Sequence, residues 1–432
     1  MSEMTETIEV ADEAAGEPAV AAAQPQSKMG FMGNDRLREL QAEWGTPSFV
    51  FDAAAFKSRL QACQQIVGDD IALCFAMKAN PFLTAAAAQV GTHLEVCSPG
   101  ELAICEQLGV DPALVVYSGV NKEISDITEA AKFGAGVMTA ESLLHATYLS
   151  EVAVSRNQVI DVLPRLNSGS QFGMSKEDLL WLVDNRSEFP GINLVGIHYF
   201  VGTQRKKLKH QRRELASLIE FLDLLEAEHG FTVERLEYGP GLAVPYFVDD
   251  DFSDDLAPLR ELAPDLQEVA KRVKLTIETG RFFAALCGAY LTRAMDLKFN
   301  DGTNYAILDG GMNHLTYYGQ MMGLHVPIIV NLTAEVDAAR GADGSREWCL
   351  CGSLCTVNDV LVRSVEMSSL ERGDVLAFKN AGAYSVTEGV HLFLSRTMPR
   401  VLLCDGEDVR LARDFTESWP INCAHLQVCE GL

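Results

Sequence analysis

Between Pro47 and about residue 300, short apolar runs rich in β-branched and aromatic residues alternate with stretches whose apolar positions recur at helical spacing. The runs fall near 71–77, 94–97, 114–118, 136–139, 160–166, 194–200, 234–238 and 273–278, which makes eight repeats of strand then helix. Strands interleaved with helices require a parallel sheet. Eight such units in about 250 residues predict a closed (β/α)8 TIM-type barrel rather than an open doubly wound sheet. After residue 300 the pattern changes to strand-like runs with turn residues: Tyr305–Leu308, Val326–Leu332, Glu347–Leu350, Asp374–Phe378 and His391–Leu394. These predict a second, β-rich domain. The expected division is an acidic disordered tail over 1–28, a segment over 29–48 that packs with the β domain, a barrel over 49–300 and a β domain over 301–432.

Composition narrows the class of partner. The chain has 432 residues, 48% hydrophobic and 22% charged, ordinary for a globular protein, and no apolar run approaches the ~18 residues of a membrane span. The first residues have neither the basic start nor the apolar stretch of a signal peptide, so a cytoplasmic protein without a membrane partner is expected. With 35 Lys and Arg against 60 Asp and Glu, the net charge is −25, which disfavours nucleic acid. The 11 cysteines are odd in number and scattered, and are read as reduced thiols. Cys349, Cys351 and Cys355 lack a fourth ligand at metal spacing, so no metal is expected.

Catalytic groups of a barrel lie where strands end at their carboxyl side. Four runs end in reactive residue types. The first reaches Lys78, then Ala79-Asn80-Pro81; another reaches His198, then Tyr199-Phe200-Val201-Gly202-Thr203-Gln204; a third ends in Gly239-Pro240-Gly241; the last ends in Glu278-Thr279-Gly280-Arg281. A lysine closing a buried strand is either a snorkelling side chain or a reacting amine. Gly239-Pro240-Gly241 is either a plain tight turn or a backbone cradle for an anion, with Arg281 as a planar cation beside it. His198 is either a core histidine or a ring-stacking one. Taken together, amine, carboxylate, imidazole, arginine and glycine turn describe a pocket for pyridoxal 5'-phosphate, in which Glu278 holds the cationic ring nitrogen.

From about residue 35 almost to the C-terminus the chain resembles the fold type III pyridoxal-phosphate decarboxylases, the diaminopimelate, ornithine and arginine decarboxylase group. Nine ordered blocks carry the resemblance: Phe75-Ala-Met-Lys78-Ala-Asn80, Ser98-Pro-Gly-Glu101-Leu, Tyr117-Ser-Gly119, His198 with Gly202-Thr-Gln204, Gly239-Pro-Gly241, Glu278-Thr-Gly-Arg281, Asp309-Gly-Gly-Met-Asn313, Cys351-Gly-Ser-Leu-Cys355 with Asp359, and Gly382-Ala-Tyr384. The resemblance implies an alanine-racemase-like barrel and a homodimer with shared active sites. It implies Lys78 as the Schiff-base lysine, His198 stacked on the ring and Glu278 on the pyridine nitrogen. Gly239, Gly241, Gly280, Arg281 and Tyr384 would hold the phosphate. Cys355, brought by the partner subunit, would return a proton to Cα after CO2 leaves. Arg165, Tyr318, Thr356 and Asp359 are the candidates for contact with the substrate.

The departures bear on substrate. Diaminopimelate decarboxylases follow Gly-Met-Asn with an Arg-Pro-x-Leu-Tyr stretch and their active-site cysteine with glutamate; this chain has His314-Leu315-Thr316-Tyr317-Tyr318, and Thr356 follows Cys355. The ornithine enzymes place aspartate there. A distal ammonium or carboxylate would lose its partner, and an unpaired buried charge costs several kcal/mol. The run Arg205-Lys-Lys-Leu-Lys-His-Gln-Arg-Arg213 is either a rim for an anionic substrate arm or acidic carrier protein, or a helix start balancing nearby acids. The leading expectation is a decarboxylase of an amino acid or amino-acid conjugate, such as a siderophore or other natural-product intermediate. Diaminopimelate decarboxylation in lysine biosynthesis, amino-acid racemisation and a non-catalytic regulatory homologue are the alternatives. The racemase reading is opposed by Glu278, where a racemase pairs the ring nitrogen with arginine.

Overall fold

A computed structural model describes residues 32–320, 323–337, 340 and 345–424. The expected tail over 1–28 lies outside the described residues. Nine parallel strands form the barrel sheet, in the order 192–194, 160–164, 137–140, 115–117, 93–96, 71–76, 274–279, 235–239 and 196–200. The expected run over 194–200 is therefore two strands. Val195 breaks them: Ile192–Leu194 pairs with the strand Ile160–Pro164 on one side, and Gly196–Phe200 pairs with Arg235–Gly239 on the other. A bridge between Arg165 and His198 brings the two ends of the sheet together and makes the barrel nearly closed. Cys74, Val116, Val137, Leu163 and Val195 form a small buried apolar cluster contributed by the barrel strands.

The surrounding helices are built on amphipathic spacing. The helix Lys209–His229 buries Leu215, Leu218, Leu222 and Leu225, one stripe of a 3.6-residue period, and stops at Gly230 in the left-handed conformation. The helix Ala53–Val67 is started by Asp52, whose carboxylate accepts from the Ala55 amide, and buries Phe56, Leu60, Cys63 and Val67.

The second sheet is mixed. Ser48–Asp52 lies between Gly288–Asn300, antiparallel to it, and Arg400–Asp405, parallel to it. Gly288–Asn300 also pairs with Thr303–Leu308 and Val375–Lys379. This long strand belongs to the second sheet, so the barrel repeat ends before residue 288 and not at the expected 300. Its first half is buried and its second half largely exposed. The helix Asn34–Trp44 sets Leu37 and Leu40 into an apolar cluster with Val50, Leu291 and Leu402. The expected strands at 305–308 and 347–350 fall within strands, that at 374–378 is shifted by one residue to Val375–Lys379, and that at 326–332 shortens to Ile329–Asn331. His391–Leu394 is not a strand: it turns through Phe393–Ser395, with Leu394 at φ 57°.

Candidate active site

Lys78 leaves the end of Ile71–Ala76 in a single 3-10 turn, Met77–Ala79, which swings its amine over the barrel mouth. Its Nζ donates to Glu95 Oε2 at 2.7 Å and lies 3.4 Å from Cys97 Sγ; the Cys97 thiol donates to Glu95 Oε1 at 3.1 Å. Burial works against the lysine charge, but Glu95, then Cys97 and Glu278, more than reverse that, and the Lys78 pKa is raised. Burial alone would have lowered it, which is the expectation for an isolated strand-end lysine.

Across the mouth, Glu278 Oε2 and His198 Nε2 are 2.8 Å apart, and both side chains are buried. Burial, helped by the charge of Arg165, pushes the His198 pKa down to about 3, so the imidazole is neutral. Its Nδ1 is buried without a partner. The strand Lys274–Thr279 lies beside Ile71–Ala76 with Glu278 opposite Cys74, which puts the carboxylate on the wall next to Lys78.

The glycine turn is backbone packed on backbone. Gly241 has φ +60°, and a Cβ there would stand 2.0 Å from the Gly202 carbonyl oxygen. A Cβ at Gly280 would meet the Ala79 Cβ at 2.9 Å and the Tyr384 hydroxyl at 3.2 Å. Arg281 is buried, donates to the Tyr246 hydroxyl at 3.0 Å and to Thr203 Oγ1 at 3.3 Å, and lies over the rings of Tyr384 and Tyr318 at 4.4 and 4.6 Å. Tyr384 has φ 64°, unusual for a residue with a Cβ, and its amide donates to the Ala79 carbonyl at 2.6 Å. The structure thus brings Lys78, His198, Gly239, Gly241, Glu278, Gly280, Arg281 and Tyr384 to one mouth.

Of the substrate-end candidates, Arg165 is buried, with Nη1 donating to Glu141 Oε1 at 2.9 Å and its guanidinium over the Phe172 ring at 5.0 Å. Tyr318 is exposed apart from its contact with Arg281. Cys355 is exposed and Thr356 half-buried, on a loop beside the second sheet. Asp359 is buried; its two oxygens accept from the Met312 and Leu354 amides at 2.7 and 2.8 Å, which ties the 310–313 loop to the 352–355 loop. It therefore braces the cysteine loop instead of lining a substrate surface.

Three mouth residues escaped sequence reading: Glu95, Glu141 and Glu237. Each is buried on or just after a barrel strand. The available signal was a carboxylate inside an apolar β run, as in His93-Leu94-Glu95-Val96 and Arg235-Leu236-Glu237-Tyr238. The basic run over 205–213 is half neutralised by its own chain: Arg205 pairs with Glu214, Lys206 with Asp250 at 3.1 Å and Arg212 with Asp265 at 3.0 Å.

An amine for an aldehyde, a carboxylate for a cationic ring nitrogen, and a glycine cradle with a buried arginine for a phosphate are the donor set of a pyridoxal-phosphate enzyme. The fit is physical: a side chain at Gly241 or Gly280 would fill the cradle, and His198 Nδ1 and Thr279 Oγ1 are buried with no partner in the protein. A family model described as "Pyridoxal-dependent decarboxylase, pyridoxal binding domain" matches residues 53–285. The chain belongs to this family of pyridoxal-phosphate-dependent decarboxylases, which are carboxy-lyases. It is similar to the diaminopimelate decarboxylase of Aquifex aeolicus, 26% identical over 404 residues, covering 89% of this chain and 92% of that one. It is equally similar to the L-glutamyl-[BtrI acyl-carrier protein] decarboxylase of Niallia circulans, 26% over 403 residues, covering 87% and 93%. In structure it matches AQ1208 of Aquifex aeolicus with a TM-score of 0.79 at 26% identity, over 89% of this chain and 93% of that one. The lysine/ornithine decarboxylase of Vibrio vulnificus shares the fold with a TM-score of 0.74 at 18% identity, covering 86% and 98%. Among the described residues no helix is long and apolar enough to cross a membrane.

Proposed function

We propose that this enzyme removes the α-carboxylate of an amino-acid centre whose far end is neither a free ammonium nor a free carboxylate, such as an acyl conjugate. The observation that supports this is the commitment of the charged groups at the mouth. Glu95 is held by Lys78 and Cys97, Glu101 by the Cys97 amide, Glu141 by Arg165 and the Gly173 amide, and Asp359 by two amides. Each of these four would lose an existing partner on receiving a distal ammonium, which costs about 1–3 kcal/mol or more in a buried site, and Glu237, whose Oε1 is unpartnered, lies buried at 2% exposure on a barrel strand. In the stretch after Asn313, where the arginine of diaminopimelate decarboxylases is missing, Tyr317 is buried and its hydroxyl donates to the Lys379 carbonyl at 2.7 Å. The carrier-linked glutamyl substrate in the name of the Niallia circulans relative is of this neutral-ended kind.

When bound, pyridoxal phosphate supplies an electron sink for the carbanion left at Cα. The protein's own groups do the rest. Lys78 would hold the coenzyme through its Nζ, Glu278 would face the ring nitrogen, and neutral His198 would offer a flat face without adding charge. Gly239, Gly241, Gly280, Arg281 and Tyr384 would hold the phosphate. Cys355 is exposed in the single chain and Val357, two residues on, is 89% exposed, a surface for a second copy of this chain to cover. In the homodimer its Sγ would enter the partner's mouth and deliver the proton to Cα. Orientation and electrostatics supply the barrier reduction.

The test is CO2 release from meso-diaminopimelate, ornithine, lysine, arginine and neutral-ended conjugates, including a carrier-linked glutamyl group and citrate-linked amino acids. Conjugates are expected to exceed the diamines by about a hundredfold in kcat/KM. The second reading, diaminopimelate decarboxylation, is favoured by the Aquifex aeolicus relative that matches over 92% of its length. A preference for diaminopimelate would establish it and end the first.

A further inference from the structure

Glu237 is a buried carboxyl for which the reading above has no use. It lies on the strand Arg235–Gly239 opposite His198, is 2% exposed, and has Oε1 without a hydrogen-bond partner. One ligating atom from each of Glu237, Glu278 and His198 can be chosen so that all lie within 4.8 Å of one another. We infer that Glu237 carries a proton at neutral pH and serves as a positioning residue, leaving Glu278 the single negative charge offered to the coenzyme ring nitrogen.

The reason is the inventory of charge around it. Among the described residues the mouth has four buried or half-buried cations, of which Arg281 is held by the Tyr246 hydroxyl and Thr203 Oγ1. Lys78 is taken by Glu95 and Arg165 by Glu141, while Lys122 donates to the Gly119 carbonyl and to Thr139 Oγ1. Among the described residues none of them forms an ion pair with Glu237. The groups that face it from the neighbouring strands are the Cys74 thiol, neutral His198, and the carboxylates of Glu278 and Glu95; Arg235 lies on its own strand, toward the opposite end of the barrel. Two buried carboxylates without an intervening cation do not both ionise, and the member with the stronger hydrogen-bond donor, an imidazole N–H rather than a weak thiol, is the one that stays charged. Glu278 has the His198 ring nitrogen at 2.8 Å, whereas Glu237 has a thiol on one oxygen and nothing on the other. Burial first, then Glu278 and Glu95, holds the Glu237 carboxyl well above the ordinary carboxylate range, in the same direction. A neutral Glu237 closes the barrel interior under the Glu278–His198 pair without adding a second anion to it.

This inference rests on Glu278 as the partner of the ring nitrogen, and its test separates the two. Infrared spectra of the holoenzyme in D2O at neutral pH should show a protonated carboxyl stretch that is lost in Glu237→Gln. A wild-type spectrum without such a band, or a band that survives in Glu237→Gln, overturns the proton assignment whatever Glu278 does. For the positioning role, Glu237→Ala is expected to release coenzyme on dialysis about tenfold more readily, and the neutral isostere Glu237→Gln to restore retention. An ionised Glu237 would not be replaced by Gln, so failure of that rescue also overturns it. If the alanine variant does not fold, the infrared comparison decides alone. Glu278→Gln with unaltered coenzyme absorbance would instead sink the reading on which the inference stands.

Discussion

Lys78 Nζ and Glu95 Oε2 lie 2.7 Å apart at the barrel mouth, and this contact, with Cys97 and Glu278 nearby, is why the lysine holds its proton more tightly than a free lysine would. The amine must shed that proton to react with an aldehyde. Glu95→Gln removes the largest opposing charge, so the Lys78 pKa falls. The rate at which coenzyme-free enzyme recovers its absorbance band should then reach its plateau at lower pH, by about one unit or more. A profile unchanged or displaced to higher pH would show that Glu95 does not govern the amine.

Lys78→Ala and Glu278→Gln should separate attachment from tuning. Without Lys78 the coenzyme is held by phosphate and ring contacts alone, and the visible band of the bound coenzyme should vanish on dialysis. Glu278→Gln should keep coenzyme but lower kcat on the order of a hundredfold, because an amide cannot hold the ring nitrogen cationic. The ratio of kcat values at saturating coenzyme is the measurement that checks it.

Gly241→Ala puts a Cβ 2.0 Å from the Gly202 carbonyl at a φ of +60°. The turn must move, and with it the cradle. Strain of about 1–3 kcal/mol at this position predicts a loss of roughly tenfold or more in coenzyme affinity, with the barrel otherwise folded. Fluorescence titration of the variant with coenzyme measures it; wild-type affinity would remove the turn from the phosphate site.

If Cys355 acts in the partner's mouth, Lys78→Ala and Cys355→Ala are each inactive as homodimers but complement when mixed. Half of the randomly reassociated dimers carry one variant of each kind and one intact site, so activity should return to about a quarter of wild type. No recovery after verified subunit exchange would place Cys355 in its own subunit's site or outside any site.

The barrel, the strand-end lysine, the Glu278–Arg281 turn and the glycine turn were legible because each is a local pattern. A period of two or 3.6 marks an element, and a charged residue where an apolar run ends marks the mouth. The break at Val195 and the membership of Gly288–Asn300 in the second sheet were not legible, since pairing partners are set by register between distant segments. Only the assembled barrel decided which buried carboxylates are matched by cations. Glu95, Glu141 and Glu237 look alike in sequence, each an acid in apolar surroundings. The fold sets Glu95 against Lys78 and Glu141 against Arg165, and leaves Glu237 beside another acid. Likewise Asp359 reads as a neighbour of the reactive cysteine, and tertiary structure turns it onto two backbone amides. Sequence distributes charge types along the chain, but the free energy of each charge depends on distance and burial, which exist only once the strands have closed.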